Sequence, residues 1–192
     1  MGRRNEILQR AAEVFERKGV TKTSIEDIAQ AVGIKREAIY YYFRGRHDIL
    51  LEIILPSSKE LLAGIEDILK SDVPGKDKLN SAVRNHLLAY DPGYLEMSVA
   101  LREDLFFSDG DGKLGELQDI WHRYGALWAE LVEDGQASGA FRNDLDAKLV
   151  TYAILGMCNW LSRWFDPEKG HSLDDIIDTY FKLTFEGIQS RN

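Results

Sequence analysis

Lys35, Arg36, Arg44 and Arg46 share one short stretch with three consecutive tyrosines, Tyr40, Tyr41 and Tyr42. Ammonium, guanidinium and phenol groups are the donors that hold phosphate oxygens, so this stretch offers contact with a nucleic-acid backbone. Such contacts need a scaffold, and the flanking residues describe one. Ser24 and Asp27 have the spacing of a capping box. Ile25, Ile28, Ala29 and Val32 then recur at one helical face, and Gly33 follows where a left-handed residue closes a helix. A second helix opens at Lys35-Arg36-Glu37 and buries Ile39 and Phe43, which leaves at least two tyrosine rings pointing outward. The pattern is a helix-turn-helix whose second helix is offered to the major groove of double-stranded DNA. Thr23 and Ser24 at the head of the first helix complete the expected DNA-facing set of Lys35, Arg36, Tyr40, Tyr41, Tyr42, Arg44 and Arg46. The plainer alternative is an αα-hairpin with a small core, whose surface would have no use for these cations and phenols together.

A second group could hold a small molecule. Trp121, Tyr124 and Trp128 lie at i, i+3, i+7, and Met157, Trp160 and Trp164 repeat that spacing, with Asn159 and Arg163 beside them. Phe106 and Phe107 close the preceding segment. Pockets between helices are apolar with a few placed polar groups. The candidate ligand site is therefore Phe106, Trp121, Tyr124, Trp128, Met157, Asn159, Trp160 and Arg163. The competing reading is that the rings fill the core and Arg163 snorkels to solvent.

Bond-making chemistry finds less support. His47, His86, His122 and His171 are scattered, without a metal-ligand motif, and the single cysteine, Cys158, sits in an apolar run. Gly110, Gly112 and Gly115 fit G-x-G-x-x-G, but no strand precedes them. Asp109 and Asp111 begin like a calcium loop, but Lys113 occupies a ligand position. No catalytic residue, metal or cofactor is expected, and the chain does not read as an enzyme.

The chain has 192 residues, 44% hydrophobic and 29% charged, enough for a substantial core. Its net charge of −8 is unevenly spread: residues 1–50 carry +3 and the remainder −11. A basic end on an acidic body leaves one surface attractive to DNA. No apolar run is long enough to cross a membrane, and Met1-Gly2-Arg3-Arg4 leads into an amphipathic helix rather than a signal peptide, so a cytoplasmic location is expected.

Helical spacing recurs along the chain. Arg4–Lys18 has the buried stripe Ile7, Leu8, Ala11, Val14 and Phe15. A connector runs from Arg46 to Leu69, with a kink or break expected at Pro56. Further helices are read over Lys76–Ala89, Tyr94–Phe107, Lys113–Ser138, Asp144–Phe165 and Ser172–Ile188. The fold class is all-α with about nine helices: a helix-turn-helix domain over 1–47 and a larger ligand-binding and dimerisation domain over 48–192. The broad apolar stripe of the last helix predicts a homodimer through the last two helices, with Ile177 and Phe181 at the contact.

Over the first 55 or so residues the chain resembles the TetR family of bacterial transcription regulators, at Thr23, Ile28-Ala29, Gly33-Ile34, Ile39-Tyr40 and Tyr42-Phe43. It departs where the family usually has Ser-Lys-Glu and this chain has Gly45-Arg46-His47. The resemblance implies a first helix bracing the motif, with Arg3 and Arg4 either on the DNA backbone or in solvent. Two segments, Gly139 to Asp146 and Gly156 to Pro167, resemble acyl-CoA-responsive members that control fatty-acid and sterol catabolism. This implies a hydrophobic effector such as an acyl-CoA thioester and a repressor released from a palindromic operator. Two alternatives stay open: a constitutive dimeric DNA-binding protein without an effector, and an all-α enzyme with a DNA-binding appendage.

Overall fold

The computed structural model describes residues 2–89, 112–166 and 168–190. Among them are eight α-helices and no strand: α1 (Arg3–Lys18), α2 (Ile25–Val32), α3 (Arg36–Ile39), α4 (Arg46–Lys70), α5 (Gly75–Leu88), α6 (Lys113–Ala137), α7 (Ala147–Trp160) and α8 (Leu173–Ile188). The fold is all-α, as the spacing predicts. The helix expected over Tyr94–Phe107, and with it Phe106, lies outside the described residues.

The chain forms two compact units that divide within α4, between Ser58 and Lys59. The first contains α1 to α3, the start of α4 and the start of α6 as far as Gln118. Ile7, Ala11, Val14 and Phe15 form the buried stripe of α1, which packs on α2, and α2 packs on α3. The capping box of α2 is complete: Asp27 N–H donates to Ser24 Oγ at 3.2 Å and Ser24 N–H to Asp27 Oδ2 at 2.7 Å. Lys18 Nζ stands 2.6 Å from the same carboxylate. The Lys18 ammonium and the Ser24 donors hold the Asp27 carboxyl well below the usual carboxylate range. At the other end Gly33 is left-handed (φ 73°, ψ 32°). Ile34 N–H donates to Ala29 O at 3.0 Å and Gly33 N–H to Gln30 O at 3.1 Å, a Schellman closure that sets where α3 begins.

α4 continues through Pro56 with no break in the helix, and Ile54 and Ser58 are buried on either side. One missing backbone donor costs less than unpacking that buried face. α7 is capped by Asp146, whose side chain accepts from Leu149 N–H at 2.8 Å, rather than by Asp144, which pairs with Arg142. It also ends at Trp160, where a 3-10 turn over Leu161–Arg163 takes over, rather than at Phe165.

In the second unit α5 packs on α7 and α8. Its buried face is Leu79, Ala82, Val83, His86 and Leu87. Phe141, 1% exposed, folds back onto Gly135 of α6 and pairs as an isolated antiparallel bridge with Gln189, anchoring the end of α8. Among the described residues no helix is long and apolar enough to cross a membrane.

Candidate nucleic-acid interface and ligand site

α3 is short. Its α-helical hydrogen bonding covers Arg36–Ile39, and Lys35 caps it in an extended conformation. Tyr42 and Phe43 N–H both donate to Ile39 O, so the chain continues as a turn. The four successive aromatic residues Tyr40 to Phe43 are weak helix formers, and the segment depends on tertiary anchors. Those anchors are Ile39 and Phe43, at 0% and 1% exposure. With them inside, the polar residues go outward. Tyr41 is 86% exposed and stacks edge-on with Tyr42 at 5.2 Å. Arg36 Nη2 donates to the Tyr40 hydroxyl at 3.0 Å and its guanidinium lies over that ring, so the two side chains present themselves as one unit. Lys35 and Arg44 are exposed.

Two residues grouped with this surface on sequence do other work. Thr23 is 2% exposed, and its hydroxyl donates to Gly19 O at 2.8 Å, which removes it from the DNA-facing set. Arg46 Nη1 donates to the carbonyls of Val20, Thr21 and Thr23 at 3.1 to 3.3 Å. The guanidinium thereby ties the α1–α2 turn to the head of α4, a positioning role in place of the expected phosphate contact. Ser24 is exposed, but its hydroxyl is held by Asp27. Arg4 pairs with Glu52 of α4, which also accepts from Lys113, and lies over the Phe43 ring. These two cations hold the Glu52 carboxyl below its ordinary range, Arg4 more strongly.

The structure splits the predicted ligand residues. Tyr124 and Trp128 are buried at 4% and 0% exposure, and Asn159 reaches the same interior from α7. What joins them is His86, 7% exposed and not singled out on sequence. Its Nδ1 lies 3.0 Å from the Tyr124 hydroxyl and its Nε2 3.1 Å from Asn159 Oδ1. The Tyr124 ring stacks on His86 (centroids 5.8 Å), and Trp128 stands edge-on to both at 6.4 Å. One sequence signal could have found His86: it takes an apolar position in the stripe of Leu79, Val83 and Leu87 on α5. Trp128 Nε1 and Thr151 Oγ1 are buried without a hydrogen-bond partner.

The other members face away. Trp160 is 64% exposed, Arg163 is exposed on the 3-10 turn, and Trp121 is half-buried. α7 turns Thr151, Ile154 and Cys158 inward, which carries Trp160 to the opposite side. Arg163 is therefore not the buried polar group expected on sequence. Burial pushes the Cys158 thiol up to about 12, which removes it as a nucleophile at neutral pH.

The outward side of α7 and α8 carries Leu149, Tyr152, Trp160 and Leu183, each more than half exposed. Met157 lines an open apolar groove there with Val150, Ala153, Leu183 and Gly187. Ile177, expected at a contact between copies, is 0% exposed within its own chain, and Phe181 is half-buried.

Comparison with known proteins matches both units. The profile described as "Bacterial regulatory proteins, tetR family" covers residues 7–53. That described as "Tetracyclin repressor-like, C-terminal domain" covers residues 72–188. The HTH-type transcriptional repressor KstR2 of Rhodococcus jostii (strain RHA1) is 25% identical over 190 residues, spanning 98% of this chain and 92% of the relative. The solved structure of the ketosteroid transcriptional regulator KstR2 of Mycobacterium tuberculosis superposes with a TM-score of 0.86 at 22% identity, over 99% of this chain and 96% of that one. AibR, solved in complex with isovaleryl coenzyme A and operator DNA, superposes with a TM-score of 0.78 at 18% identity, over 96% and 98%.

Proposed function

Because the chain belongs to the TetR family of bacterial transcription regulators, we propose that it is a dimeric repressor released from operator DNA by a hydrophobic acyl-CoA-type effector. The observation that carries the reading is the division of labour in and after α3. Ile39 and Phe43 lock the segment inward while Lys35, the Arg36–Tyr40 pair, Tyr41 and Arg44 face out. Two copies related by a two-fold axis would set this surface against successive half-sites of a palindrome. The exposed apolar face of α7 and α8 is the dimer contact in this reading, which moves it from Ile177 to Leu149, Tyr152, Trp160 and Leu183.

The effector enters the second unit, against the His86–Tyr124–Asn159 chain and the Trp128 ring. A neighbouring fold solved with an acyl-CoA and operator DNA together supports the effector class, and a relative named a transcriptional repressor supports repression. For release, the effector must favour the conformation that does not bind DNA; equal affinity for both would shift nothing. Native mass spectrometry of the purified protein with isovaleryl-, octanoyl- and palmitoyl-CoA tests oligomeric state and effector class together. Fluorescence anisotropy on operator DNA then tests release. A dimer that binds a thioester and leaves DNA supports the reading. A dimer indifferent to all three returns it to a constitutive DNA-binding protein.

A further inference from the structure

Trp128 is the largest fully buried side chain among the described residues, and its indole N–H has no acceptor. Buried donors are nearly always paired, and one left unpaired costs as much as a lost hydrogen bond. The surroundings make this one informative, because the neighbouring polar groups are already engaged with each other. The Tyr124 hydroxyl faces His86 Nδ1, and His86 Nε2 faces the Asn159 carbonyl oxygen. An indole nitrogen donates and cannot accept. Among the described residues nothing accepts from it.

We infer that Trp128 Nε1–H is the donor that receives the thioester carbonyl oxygen of the effector, so that the effector is read at its acyl carbonyl from inside the second unit. The inference rests on the acyl-CoA reading above and narrows it. The indole is uncharged and enclosed by His86 and Tyr124 rings. The phosphates of coenzyme A could not be desolvated there without paired cations, whereas a carbonyl beside an apolar acyl chain could. A site built to donate to an acceptor discriminates strongly against an analogue that lacks it. Trp128 therefore distinguishes an activated acyl group from any other apolar chain on the same carrier.

The test changes the ligand and the protein separately. The tightest-binding CoA of the three-member panel is compared with its S-alkyl thioether, in which CH2 replaces the carbonyl, by calorimetric titration. Wild-type protein should prefer the thioester by roughly tenfold. Trp128→Phe keeps a buried ring without the donor and should bring that ratio close to one. Should Trp128→Phe fold poorly, the indole N–H resonance of wild-type protein gives the answer. Assigned with Phe substitutions at Trp121, Trp160 and Trp164, the Trp128 signal should move downfield with the thioester and not with the thioether. Equal binding of both ligands to wild type, or an unmoved Trp128 proton in a thioester complex, overturns this inference and leaves the effector class standing. Failure of all three thioesters to bind removes the effector class, and this inference with it.

Discussion

Leu183 provides the sharpest test of how two copies meet. It is 62% exposed on α8, beside the groove lined by Met157 and Gly187. Fully burying a leucine side chain is worth about 1.5–3 kcal/mol, so covering the exposed fraction is worth about 1–2 kcal/mol. A two-fold axis uses the residue twice, for about 2–4 kcal/mol per dimer, or about 30- to 1,000-fold in the dimer dissociation constant. Leu183→Ala should therefore shift the monomer–dimer midpoint by that factor in sedimentation velocity over a concentration series. Its thermal unfolding as a monomer should stay close to wild type, because the side chain does little within its own copy. Ile177→Ala is the contrast. That residue is 0% exposed within its own chain, so truncation should cost about 2–5 kcal/mol of folding stability. The folded fraction should still dimerise at the wild-type midpoint. If Leu183→Ala dimerises unchanged while Ile177→Ala releases monomers, the contact lies elsewhere on α8 and the exposure argument is wrong.

Arg36→Ala should weaken binding to operator and random DNA alike, and lower the slope of log affinity against log salt by about 1; anisotropy titrations over a salt series would read both. Gly135→Ala would drive a Cβ into the buried Phe141 ring. The clash should outweigh the better helix propensity and cost about 1–3 kcal/mol, seen as a lower urea midpoint. Asp27 bears on acid stability: its carboxyl is lowered in the fold, by Lys18 first and Ser24 next. A lowered carboxylate stabilises the fold above its unfolded pKa of about 3.9, and that contribution is lost as pH falls below it towards the folded value. Urea midpoints from about pH 5 downwards should fall more steeply for wild type than for Asp27→Asn.

The helix-turn-helix was legible in the chain because its determinants are local. A capping box is three residues long, a left-handed glycine marks its own turn, and Ile25 to Phe43 declare which side faces in by their spacing. The all-α class and most helix ends followed for the same reason. Periodicity says which residues share a face; it does not say which face meets a neighbour. Thr23 and Arg46 read as DNA contacts by type, yet their partners are carbonyls of the α1–α2 turn, up to 26 residues away for Arg46. Trp160 and Arg163 read as pocket residues because aromatic spacing looks alike on the inner and outer sides of α7. Tertiary packing decided that Cys158 goes in and Trp160 out. His86 became part of the site by the same step. It pairs with Tyr124 and Asn159, 38 and 73 residues further along. A buried polar group must find a partner wherever the fold brings one, and no local pattern records which residue that will be.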